Sequence, residues 1–234
     1  MNHKKHIKLA TGIGMAAGGL LVGVAALYTE VITSVVARRR NAFTDGIVAA
    51  TQGGGGGIDP TIRDKARALR EIPMEQVSIR SHDGYVLRAR WYPAENAERT
   101  VILAHGWHGA WNTDFSLSAP LLHNRGCNLL LIDQRCHGDS GGDLISYGIR
   151  ERYDILSWLD YLTEQGIGLP VYLCGISMGA STVLMTAELP VADRVSGIIA
   201  DCGYSTPDEI VSLALRNAVG CMTAPTLAAV NHLP

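Results

Sequence analysis

Hydrophobic and polar positions divide the chain into two stretches of different character. From Leu9 to Tyr28 no residue is charged, and after Glu30 the apolar character resumes through Val36. Lys4, Lys5 and Lys8 precede this segment, and Arg38-Arg39-Arg40 closes it. About 20 residues of helix span roughly 30 Å, the hydrocarbon thickness of a bilayer. The pattern therefore predicts a single-pass membrane anchor with residues 9–36 in the lipid. A cleaved signal peptide, the alternative, has a shorter apolar core and a small-x-small cleavage site; a buried helix is the third reading. Basic residues flank both ends, so the positive-inside rule does not choose an orientation.

The next stretch, residues 41–58, contains the run Gly53 to Gly57, which has no side chains to pack and reads as a linker. Asp59-Pro60 then predicts a helix start, with Asp59 as N-cap and Pro60 at the first helical position. That helix should stop before Pro73, and its mixed charges predict a solvated face. The expected division is an anchor over 1–40, a linker and short helix over 41–74, and a folded domain over 75–234.

From residue 75 the pattern alternates. Gln76 to Arg80 and Tyr85 to Tyr92 flank His82-Asp83-Gly84 and predict a hairpin. Val101 to Ala104, Asn128 to Ile132, Val171 to Cys174 and Val195 to Ala200 are short apolar runs of the kind buried in a parallel sheet. Between them a helix is expected over 114–125. A second is marked by Ile149, Tyr153, Leu156, Leu159 and Leu162 at helical spacing, and a third runs from Met178 to about Glu188. Strand–helix alternation of this kind predicts an α/β fold, a mostly parallel sheet with helices on both faces.

Composition narrows the picture little. A net charge of −2 gives no reason to expect nucleic acid. Five cysteines with no CxxC spacing read as reduced thiols packed in a core, and neither a disulfide framework nor a zinc site is expected.

The chemistry lies in the turns. Gly175-Ile176-Ser177-Met178-Gly179 follows an apolar strand directly and opens a helix, the context in which a G-x-S-x-G pentapeptide forms a nucleophile elbow. Such a turn lifts the Ser177 hydroxyl to the carboxyl edge of the sheet. His105-Gly106-Trp107 follows the strand Val101 to Ala104, where an oxyanion loop belongs. The backbone N–H groups of Trp107 and Met178 are its candidate donors. Two other readings compete locally. His105 and His108 form an HxxH pair, but no third ligand has suitable spacing for a metal. Gly138-Asp139-Ser140-Gly141-Gly142 is the pentapeptide of trypsin-like proteases, but it sits in an alternating α/β pattern rather than among β-barrel strands. Asp133, Arg135, His137 and Gly138 read instead as residues that fix the loop after the strand Asn128 to Ile132.

Taken in order, the His105-Gly106-Trp107 loop, Asp133-Gln134-Arg135 with Gly138 and Ser140, the elbow, and Ile198-Ile199-Ala200-Asp201-Cys202-Gly203-Tyr204 resemble the α/β-hydrolase superfamily. The nearest branch holds bacterial, often membrane-anchored esterase-like and serine-aminopeptidase-like proteins. The resemblance covers residues 76 to about 220. It implies attack by Ser177 on the carboxylic ester or amide of a small substrate, lipid or peptide, an acyl-enzyme, and no cofactor or metal. It also implies an acid and then a histidine after the last two strands. Beyond Ser177 the sole histidine is His232, and the chain ends at Pro234. Asp201 and His232 formally complete a triad, yet the resemblance places Asp201 at the end of the sixth strand and residues 206–231 at the start of a helical cap. The expectation is therefore a C-terminally truncated hydrolase, with an inactive remnant or a membrane-tethered binding domain as the alternative.

Overall fold

The computed structural model describes residues 59–191, 193–210 and 212. The expected anchor, the glycine linker and His232 lie outside these residues. Among the described residues no helix is long and apolar enough to cross a membrane.

The first helix, α1 (Pro60–Glu71), starts as expected: the Asp59 carboxylate accepts the Thr61 N–H at 2.7 Å, and Pro60 occupies the first turn. Its charged residues face solvent, while Ala66 and Leu69 are buried. Six strands follow: β1 (Glu75–Arg80), β2 (Val86–Tyr92), β3 (Arg99–Ala104), β4 (Cys127–Asp133), β5 (Val171–Ile176) and β6 (Gly197–Asp201). They form one sheet in the order β1-β2-β4-β3-β5-β6. β1 and β2 form the antiparallel hairpin, and β2 meets β4 antiparallel. All pairings from β4 through β6 are parallel.

Because side chains alternate across a strand, the central strands feed two cores. Ile102, Ala104, Leu130, Ile132 and Leu173 point to one face, where they pack with Ile155, Trp158, Leu159 and Leu162 of α4 (Glu151–Glu164) and Val183 of α5 (Met178–Thr186). Val101, Leu103, Leu129 and Leu131 point to the other, against Leu69, Trp111, Phe115 and Ala119. Each buried Val, Leu, Ile or Phe among them contributes about 1.5–3 kcal/mol of transfer free energy. Among the described residues the edge strands are β1 and β6, and Ile199, Ala200 and Asp201 of β6 are exposed.

Two expectations are corrected. The single helix over 114–125 is two short ones, α2 (Trp111–Asp114) and α3 (Ser118–His123). Pro120 has no N–H to donate back, so it is tolerated in the first turn of α3 but not inside one continuous helix. The buried stripe of α4 is Glu151, Asp154, Ile155, Trp158, Leu159 and Leu162, while Ile149 precedes the helix and is 51% exposed. The stripe is rotated because two buried carboxylates have partners. Glu151 accepts hydrogen bonds from Ser146 and Gly148, and Asp154 pairs with Arg135.

Candidate active site

Ser177 stands between β5 and α5 with φ 54° and ψ −116°. Its N–H donates to the Asp201 carbonyl at 2.8 Å and its carbonyl accepts the Ser181 N–H at 3.1 Å, so the backbone is clamped on both sides. The side chain makes no capping hydrogen bond and is half-buried. The flanking glycines are sterically required. A β-carbon on Gly175 would lie 2.2 Å from the Gly179 carbonyl oxygen, and one on Gly179 would lie 1.9 Å from the Ala104 carbonyl oxygen.

This strain is part of a pattern. Five described non-glycine residues have positive φ: His108, Cys136, Tyr147, Ser177 and Cys202. Each follows the carboxyl end of a parallel strand: β3, β4 (two residues), β5 and β6. Left-handed backbone at non-glycine residues costs on the order of 1–3 kcal/mol each and concentrates at functional sites. All five lie at the edge where open α/β sheets bind ligands.

The loop after β3 lies beside Ser177: a β-carbon on Gly106 would sit 3.4 Å from the Ser177 Cβ. Its peptide groups are held by buried side chains. Asp114 accepts the Gly106 N–H at 2.8 Å, and burial raises the Asp114 pKa against the pull of that bond. Gln134 donates its side-chain N–H to the His105 carbonyl and accepts from the Thr182 hydroxyl at 3.2 Å, linking the loop to α5. His137 Nε2 accepts the His108 N–H at 2.9 Å while its Nδ1 lies 2.8 Å from the Arg135 carbonyl. His105 is fully buried, with Nε2 accepting the Gln134 N–H at 3.2 Å and Nδ1 against the Gly106 carbonyl at 2.8 Å. Desolvation pushes its pKa down to about 4. Both histidines thus have both ring nitrogens engaged. The HxxH metal reading loses its first ligand, because His105 has no nitrogen to offer.

Trp107 sits on this loop between two residues whose N–H groups are fixed, and Met178 is the first residue of α5. The first N–H groups of a helix have no intrahelical acceptor. Around them, Cys136, Ile145, Tyr147 and Met178 form an apolar cluster, with Trp107, Tyr204 and Ile210 packed against it. Residues that follow β3, β4, β5 and β6 all contribute to this buried cluster, which packs beneath the turn that carries Ser177.

Ser140 has a different fate. It is wholly buried; its Oγ donates to the Asp133 carbonyl at 2.6 Å and accepts the Arg88 N–H at 2.8 Å. It ties β2 to β4, which removes the trypsin-like reading. Arg135 is buried between Asp83 and Asp154, its guanidinium within 2.9 Å of the first and 2.7 Å of the second. These carboxylates and His82 form the one described cluster with metal-like spacing, and the Arg135 guanidinium already pairs with both acids. Asp133 pairs with Arg90 at 2.9 Å, so these loop residues hold the scaffold as expected. Asp201 lies level with Ile176 in the sheet; its side chain is exposed, and its charge adds to the burial that lifts Cys174 to about 11. The sequence reading missed Asp114 and Thr182. Their partners lie 8 and 48 residues away, and no local pattern announces them.

Comparison with known proteins agrees with this geometry. The sequence profile described as "Alpha/beta hydrolase family" matches residues 101–231. A Bacillus subtilis protein, the uncharacterized YqkD, is 32% identical over 157 residues, which are 65% of this chain and 50% of that protein. Among solved structures, the Pyrococcus furiosus esterase Pf2001 superposes in one crystal form with a TM-score of 0.52 at 21% identity, covering 70% of this chain and 67% of that one. In another form it gives 0.51 at 23% identity, with 64% and 55% covered. The alpha/beta hydrolase GrgF from Penicillium gives 0.52 at 20% identity, with 64% and 55% covered. At these identities the solved structures speak for the fold alone, and the chain spans half the length of the curated relative it matches.

Proposed function

Because the chain belongs to the alpha/beta hydrolase family, we propose that it is a membrane-anchored serine hydrolase that cleaves a carboxylic ester or amide of a small substrate. One observation carries the reading: Ser177 occupies a strained strand-to-helix turn, half-exposed, beside a loop whose peptide groups are pinned. In the proposed reaction Ser177 Oγ attacks the substrate carbonyl and gives its proton to a general base, which passes it on to the leaving alcohol or amine. The N–H groups of Trp107 and Met178 hold the developing oxyanion, and such donors lower the barrier by roughly 3 kcal/mol each. The leaving alcohol or amine departs protonated, and water hydrolyses the acyl-enzyme. An ester substrate is in keeping with the esterase named among the fold neighbours.

The test is covalent labelling of the full chain with a fluorophosphonate, read by intact mass and peptide mapping. The expected result is a single adduct on Ser177, lost in Ser177→Ala; a folded wild type that takes no adduct ends the proposal. The anchor is tested separately. The full chain should stay with membranes after an alkaline carbonate wash, and deletion of residues 1–40 should release it.

A second reading, a binding domain without turnover, draws on the two buried histidines beside the site. With both ring nitrogens engaged, His105 and His137 cannot take the Ser177 proton. Asp201 and His232 are the acid and the histidine that formally remain beyond Ser177 in this sequence, and His232 lies outside the described residues. Labelling without ester turnover in the wild type favours this second reading. Turnover that is lost in His232→Ala favours the hydrolase.

A further inference from the structure

Of the three consecutive peptide groups in the loop after β3, the middle one joins the Gly106 carbonyl to the Trp107 N–H. Its carbonyl oxygen is held twice, by the Gly109 N–H at 3.0 Å and by His105 Nδ1 at 2.8 Å. In a planar trans peptide the C=O and N–H point in opposite directions, so fixing the oxygen aims the Trp107 N–H. The neighbouring groups are held as well: the His105 carbonyl by the Gln134 side chain, the Gly106 N–H by Asp114, and the His108 N–H by His137.

The imidazole of His105 is itself set. Its Nε2 faces the Gln134 backbone N–H, which can only donate, so Nε2 must be the acceptor. In a neutral ring the proton then sits on Nδ1 and is given to the Gly106 carbonyl. We infer that His105 is a positioning residue for the oxyanion site: its Nδ1-protonated ring orients the Gly106–Trp107 peptide so that the Trp107 N–H meets the oxyanion. This rests on the hydrolase reading above. The residue touches no reacting atom and carries no proton in the reaction. Full burial keeps the ring neutral at physiological pH.

Two substitutions separate its ring nitrogens. In His105→Asn the amide N–H2 replaces Nδ1 as donor to the Gly106 carbonyl, while the acceptor at Nε2 is lost. In His105→Gln the amide oxygen replaces Nε2 as acceptor, while the donor at Nδ1 is lost. The readouts are the second-order rate of fluorophosphonate labelling at Ser177 and, for ester hydrolysis, kcat and KM per labelled site. His105→Gln is expected to lose 10²- to 10³-fold in labelling rate and kcat with KM little changed, the range for removing one oxyanion donor. His105→Asn should stay within about tenfold of wild type on the same scale. Equal losses in both variants, or a larger loss in the asparagine, would overturn the assignment. A purely structural role would lower the melting temperature and the number of labelled sites without changing the rate per site. A measurement without substitution guards against variants that do not fold. Long-range ¹H–¹⁵N correlation on the wild-type ring should give a neutral, Nδ1-protonated tautomer at pH 7, and an Nε2-protonated ring or an imidazolium would refute the inference. If the wild type takes no fluorophosphonate, the hydrolase reading fails first. If it labels normally and His105→Gln labels as fast, only the present inference fails.

Discussion

Two pentapeptides in this chain share the pattern glycine-x-serine-x-glycine or its close variant, and folding sends their serines to opposite fates. Ser177 follows the parallel strand β5 and opens α5, with a left-handed backbone and a half-exposed side chain. Ser140 follows the parallel strand β4 but enters a loop that folds back over the sheet. Its hydroxyl is buried and doubly bonded to the backbones of β2 and β4. The serine is the same; the element after it is not. A helix that starts immediately forces the chain through a sharp turn and pushes the side chain outward, whereas a returning loop turns its serine into a clip. A serine in a glycine-rich turn therefore becomes chemically available only when strand and helix meet without slack.

This contrast can be broken at several points. The largest effect belongs to Ser177→Ala, which should lower ester turnover on the order of 10⁴-fold or more and abolish fluorophosphonate labelling, with thermal stability unchanged. Ser140→Ala should leave the labelling rate per folded molecule as in wild type. The reverse outcome would exchange the roles of the two serines. Next, Gly179→Ala places a methyl group against the Ala104 carbonyl oxygen, where a β-carbon has only 1.9 Å. Backbone on both sides leaves no side chain to yield, and the expected cost is about 3 kcal/mol or more in denaturant unfolding. A stability within experimental error of wild type would mean that the elbow is not packed as described.

The loop that lies between the two serines supplies a pH-dependent version of the same test. His105 is held neutral in the fold with its pKa down to about 4, while in the unfolded chain it titrates near the ordinary value of 6.5. Between these values the unfolded state binds the extra proton. The stabilisation is thus complete above about pH 6.5 and is lost as the pH falls toward 4, by roughly 3 kcal/mol. Urea midpoints measured from pH 7 to 4 should fall, and His105→Asn should flatten the part of the slope due to this residue. The smallest effect is expected at the clip itself. Ser140→Ala leaves the Arg88 N–H without its acceptor, at about 1–3 kcal/mol. If Ser140→Ala is neutral, the tie between β2 and β4 does not depend on the hydroxyl.

Much of the fold was legible because it rests on local rules. Asp59-Pro60 announced α1, the apolar runs announced β3 to β6, and the hairpin around His82-Asp83-Gly84 formed where turn residues interrupt alternation. Misreadings arose where a long-range partner changed the meaning of a residue. The apolar spacing from Ile149 to Leu162 left out Glu151 and Asp154, yet both are buried because Ser146, Gly148 and Arg135 satisfy them. Pro120 was passed over inside an expected helix that it divides.

The site divides along the same line. The amino-acid sequence by itself determined the position of Ser177, because an apolar strand, two glycines and a helix start are short-range features whose steric consequence is the elbow. It also determined that the loop from His105 follows a sheet strand. Only the tertiary structure decided that Ser140 is a clip and that Asp114, Gln134, His137 and the His105 ring pin that loop residue by residue. The physical reason is that hydrogen-bond satisfaction of buried polar groups is settled by whatever the folded chain brings within 3 Å or so, and those partners come from distant parts of the sequence.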